Sequence, residues 1–86
     1  MDPGRAAAVW QLYDTLHRYA GWLDRERTSV MVRTDVQALR AALDTGADPG
    51  PLLEALDTSV ARLPGGELRK LLRTAVGKIR RAVEAQ

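Results

Sequence analysis

The 86-residue chain reads as an all-α protein, a small four-helix bundle with an antiparallel up-down layout, on three observations. Good helix formers (Ala, Leu, Arg, Gln, Glu) dominate and strand formers are sparse. Apolar residues recur at helical spacing in four separate stretches. Between the later stretches stand Gly46, Asp48-Pro49 and Pro64-Gly65-Gly66, residues that stop and restart helices. An irregular orthogonal packing is the alternative arrangement.

The first helix is expected over about residues 3–25. Asp2 is a suitable N-cap, and Pro3 fits the first helical position, where its missing N–H costs nothing. Val9, Leu12, Tyr13, Leu16, Ala20 and Leu23 then form one apolar stripe, interrupted only by the weak helix former Gly21. Two starts compete for the second helix. Thr34 and Gln37 spell a capping box. Against this, Val32, Val36, Leu39 and Leu43 continue one stripe that points to a start near Ser29. The longer helix, 29–45, is favoured, because a long structureless segment is uncommon in so small a domain.

Gly46 is a natural residue to follow that helix. Asp48-Pro49 repeats the start signal of residues 2–3 and opens a third helix, 49–62, with Leu53, Leu56, Val60 and Leu63 on one side. After Pro64-Gly65-Gly66 the fourth helix, 66–85, aligns Leu68, Leu71, Leu72, Ala75, Val76, Ile79 and Val83. The connections are short, which favours antiparallel neighbours around one core of about two dozen apolar side chains. The whole chain, 1–86, is expected to form a single domain.

Composition bounds function. The 45% apolar and 28% charged fractions are ordinary for a globular protein. There is no cysteine, hence no disulfide or thiolate metal site. No run is apolar enough to span a bilayer and the first residues do not resemble a secretory leader, so membrane insertion is not expected and a cytoplasmic location is. Eleven Arg against two Lys, with abundant Ala, fits a GC-rich bacterial coding sequence.

Nothing in the chain spells an active site. His17 is the lone histidine, neither serine stands at a triad spacing from it, and the glycines make no phosphate loop. The expectation is a protein that is not an enzyme and needs no cofactor or metal.

Charge is the more informative feature. The net charge of +2 divides into +1 over residues 1–33, −4 over 34–61 and +5 over 62–86. On the fourth helix Arg69, Arg73 and Arg80 fall within a stripe of about 40°, with Lys70 and Arg81 on the outer face. Such a stripe can serve as solvated surface, pair with the acidic third helix through Asp48, Glu54 and Asp57, or meet a partner. On the first helix Trp10 and Trp22 lie on opposite flanks of the apolar stripe, and His17 projects close to Trp10 at the edge of the core. Either tryptophan, if left uncovered, is the kind of anchor that interfaces use.

These features point to a protein-interaction module: a small helical adaptor, docking or regulatory subunit. Its candidate partner-binding residues are Trp10, His17, Trp22, Arg69, Lys70, Arg73, Arg80 and Arg81, and its partner is another protein of acidic character. The alternative is a small nucleic-acid-binding regulator using the basic C-terminal helix; no helix-turn-helix spacing or stacking platform accompanies it. A homodimer or larger homo-oligomer, joining the acidic middle of one copy to the basic helix of another, is the third reading. The stretch Leu39–Val76, with short Leu/Ala helices broken by Asp-Pro-Gly and Leu-Pro-Gly-Gly, is similar in layout to small helical docking segments of actinobacterial multienzyme assemblies and to small helical adaptors from actinobacterial operons. Neither likeness includes a diagnostic motif, and no residue role is carried over from either.

Overall fold

A computed structural model of the chain describes residues 3–23 and 27–84. Four helices follow one another: α1 (Pro3–Ala20), α2 (Arg27–Thr45), α3 (Gly50–Ala61) and α4 (Glu67–Glu84). Each packs against two others. α1 lies against α2 and α4, and α3 lies against α2 and α4, while the diagonal pairs do not meet. The result is an up-down bundle of 37 × 21 × 18 Å, in which α1 and α4 make one side and α2 and α3 the opposite side.

α1 begins at Pro3 as expected; the proposed Asp2 cap lies outside the described residues. Its end differs from the expectation of about Arg25. The helix closes at Ala20, and the chain tightens through Trp22 N–H to the Tyr19 carbonyl (3.1 Å) and Leu23 N–H to the Ala20 carbonyl (3.2 Å). Gly21 weakens the helix at this point. The Arg33 guanidinium of α2 donates to the Leu23 carbonyl, so a neighbouring helix supplies a partner for a backbone oxygen left open there.

α2 takes the longer form and starts at Arg27, two residues before the expected position. Thr34 is therefore inside a helix and caps nothing. Its hydroxyl donates back to the Val30 carbonyl at 3.0 Å, the usual way a helical threonine satisfies itself. Gly46 ends α2 with φ of +74°, a conformation that costs glycine least, and the Ala47 N–H reaches the Ala42 carbonyl at 2.9 Å.

Asp48 serves the start of α3 from one residue further out than a standard cap. Its Oδ1 accepts the Gly50 N–H at 3.0 Å, with Pro49 in the capping position. α3 closes at Ala61 and α4 opens at Glu67, each within one residue of its expected limit. α4 ends at Glu84, and the expected limit at residue 85 lies outside the described residues.

The stripes read from the sequence meet in the centre. Leu16, Val32, Val36, Leu39, Leu53, Leu56, Val60, Leu72, Val76 and Ile79 are all buried, and Tyr13 belongs to the core with them. Partly buried Trp10, Leu12, Tyr19, Leu23, Leu43 and Leu68 pack around them, giving a core of the expected size among the described residues. Side-chain hydrogen bonds also cross between helices. Ser59 Oγ donates to Asp35 Oδ2 at 2.6 Å, joining α3 to α2, and the Tyr13 hydroxyl donates to the Val36 carbonyl at 3.4 Å, joining α1 to α2. Among the described residues no helix is long and apolar enough to cross a membrane.

Candidate interaction surface

The eight candidate residues separate into three groups. Trp10 is half-buried, edge-on to Tyr13 at 5.5 Å between ring centroids and beside the Gly46–Pro49 connection. It packs against the core. His17, expected at the edge of the core, is exposed; its ring lies over Tyr13 at 6.0 Å and borders a shallow groove with Arg33, Val36 and Gln37. The Tyr13 phenol below it is pushed above its ordinary pKa of 10.0 by burial, an effect that nearby Arg40 partly opposes.

Two of the basic residues are tied to their own chain. Arg80 forms an ion pair with Asp57 of α3 at 2.6 Å. Arg69 donates to the Leu63 carbonyl at 3.3 Å, with its guanidinium lying over Gly65. The 40° stripe of the fourth helix is thus held at both ends, leaving Arg73 exposed between them. Asp48 and Glu54 make no ion pair with a described residue. Lys70 and Arg81 are exposed, as is Lys78.

Trp22 stands apart. It is 60% exposed, the most exposed large apolar side chain among the described residues, and the Tyr19 ring lies against it at 5.3 Å between centroids. Val30 (51%) and Met31 (43%) are the other two exposed large apolar residues, at the same end of the bundle. Trp22 borders a cavity of about 320 Å³ with Leu23, Leu63, Pro64 and Leu68, and Arg69 closes its edge. Trp22 and Arg69, unrelated in the sequence, therefore share one surface.

A second hollow of about 260 Å³ runs between α1 and α4. Leu12, Thr15 and Tyr19 form one wall; Lys70, Leu71, Thr74 and Lys78 form the other. Glu67 borders both hollows, and the Tyr19–Trp22 pair bridges them, so they make one continuous face. This groove was not identified from the sequence. Its trace was there in Leu12, Thr15, Tyr19 and Trp22, at i, i+3, i+7 and i+10, but its existence depends on α1 and α4 being neighbours.

The chain is a four-helix bundle that bears a groove and an exposed tryptophan on its α1–α4 side. No known protein family, curated protein or solved structure matches the chain.

Proposed function

We propose that the protein is a non-enzymatic interaction module that presents its α1–α4 side to a protein partner, with Trp22 as the anchor. The observation that carries this reading is the contrast between two tryptophans of one sequence stretch. Trp10 is packed against the core, whereas Trp22 is left 60% exposed beside an apolar cavity. Covering such a ring in an interface contributes roughly 2–4 kcal/mol at ~25 cal/mol per Å².

The side-chain chemistry supports the non-catalytic part of the reading. Ser59 is bonded to Asp35 and lies on the α3 side, while the lone histidine lies exposed on α1. A cytoplasmic adaptor or docking subunit is the role such a module would fill.

The second reading is nucleic-acid binding, favoured by Lys70, Arg73, Lys78 and Arg81, all exposed on α4. It is the weaker one, because Arg69 and Arg80 are engaged within the chain. One experiment separates the readings. The complex recovered from the native cell is compared for wild type and Trp22→Ala in titrations at 50 and 200 mM salt. The interaction module predicts an affinity loss of about 30-fold for Trp22→Ala and a mild salt dependence. Nucleic-acid binding instead predicts a steep fall with salt and little effect of the tryptophan. Sedimentation of the isolated protein tests the homo-oligomer.

A further inference from the structure

The charge on the α1–α4 face is one-sided, and that asymmetry constrains what can lie in the groove. The α4 wall carries Lys70 and Lys78 along its length and Glu67 at its start, and the exposed Arg81 follows less than a turn beyond Lys78, so the wall is net positive. At 100° per residue the three cations fall within about 80° of the helix surface. The α1 wall opposite carries no charge in the groove, only Leu12, Thr15 and Tyr19. The floor is apolar, from Leu12, Leu71 and Ala75. From Leu12 to Trp22 the face is about 15 Å long, the length of roughly three helical turns.

We propose that this groove seats an amphipathic helix of a partner protein, with apolar residues on the floor and acidic residues along the flank that meets α4. This rests on the interaction-module reading and names its partner's chemistry. A helix fits because the trough between two packed helices accepts the ridge of side chains that a third helix presents at i, i+3 and i+4 spacing. The acidic flank follows from Lys70, Lys78 and Arg81, which outnumber the single carboxylate of Glu67 on that wall: a neutral helix would leave a net positive flank unmatched, and a basic one would set like charges across the interface. A second copy docked α4 against α4 is disfavoured by the same charges. Two copies placed α4 against α4 about a two-fold axis at Thr74 would set Lys70 of each against Lys78 of the other. Trp22, at the end of the groove, would close over the final turn of the bound helix.

The test uses the whole protein and two synthetic 16-residue helical peptides. Both carry the same leucine stripe; one is flanked by glutamates and the other by lysines. Binding is read by fluorescence anisotropy of the labelled peptide. The acidic peptide is expected to bind at least about 10-fold more tightly than the basic one. The double variant Lys70→Glu/Lys78→Glu should reverse that order, and Lys70→Gln/Lys78→Gln should abolish it with the helical circular dichroism unchanged. Thr15→Trp, which fills the groove from the α1 wall without adding charge, should weaken the acidic peptide. Equal binding of the two peptides, binding of neither, or a preference that survives charge reversal would each overturn the proposal, as would a dimer that the glutamate variant dissociates. Loss of the native complex with Trp22→Ala alongside no peptide preference would leave the interaction module standing and remove only the acidic helix.

Discussion

Leu16 and Leu72 show how much a single residue contributes to a domain of this size. Both are fully buried and stand at the centre of the stripes of α1 and α4, the two helices that build the proposed binding side. Truncating either to alanine is expected to cost about 2–5 kcal/mol, a large share of the stability of a small domain. Urea midpoints of the two variants measure it, and unchanged midpoints would mean the buried faces are misassigned. Tyr13 allows a prediction in pH. Burial raises its pKa above 10.0, so the folded state holds the phenolic proton more tightly than the unfolded chain does. The associated stability is fully present below pH 10 and is lost as pH rises through the folded-state value. Thermal midpoints followed from pH 8 to 11.5 should therefore fall more steeply for wild type than for Tyr13→Phe. Parallel curves would show that Tyr13 does not titrate against folding.

At the scale of the element, periodicity and end signals carried most of the information. The stripes of α2, α3 and α4 were readable because a one-sided core demands apolar residues every three or four positions. Where the reading failed, a tertiary contact decided. α1 stops at Ala20 rather than near Arg25, because the turn at Gly21 is backed by Arg33 reaching from α2 to the Leu23 carbonyl. The Thr34–Gln37 capping signal is overridden because Val32 and Val36 are both needed in the core. The arginine stripe of α4 was visible as a pattern, but its use was not. Arg80 turns out to face Asp57, and Arg69 turns back to Leu63. Replacing Arg69, Arg73 and Arg80 together with glutamine is accordingly expected to lower stability by about 1–2 kcal/mol, since one part-exposed ion pair and one side-chain-to-backbone bond are lost. Partner affinity should fall far less than for Trp22→Ala, since of the three arginines only Arg69 borders the Trp22 cavity. Denaturation and binding measured on the same triple variant check this; intact stability with a large loss of affinity would move the binding surface to that flank.

For the whole molecule, the order of the helices matters more than any one of them. Because α1 and α4 are neighbours, residues from the two ends of the sequence form one face, and Trp22 comes to share a cavity with Pro64, Leu68 and Arg69. No spacing rule applied along the chain could pair them, so the groove was not legible even though both of its walls were. The opposite side, α2 with α3, carries the acidic segment and the Ser59–Asp35 link. The central claim is that the α1–α4 side is the working surface. Amide hydrogen exchange on the native complex, compared with the free protein, tests it most directly. The account predicts added protection along residues 12–23 and 63–78, with the α2–α3 side unchanged. Protection confined to residues 34–61, with Trp22 and its surroundings exchanging as in the free protein, would contradict it.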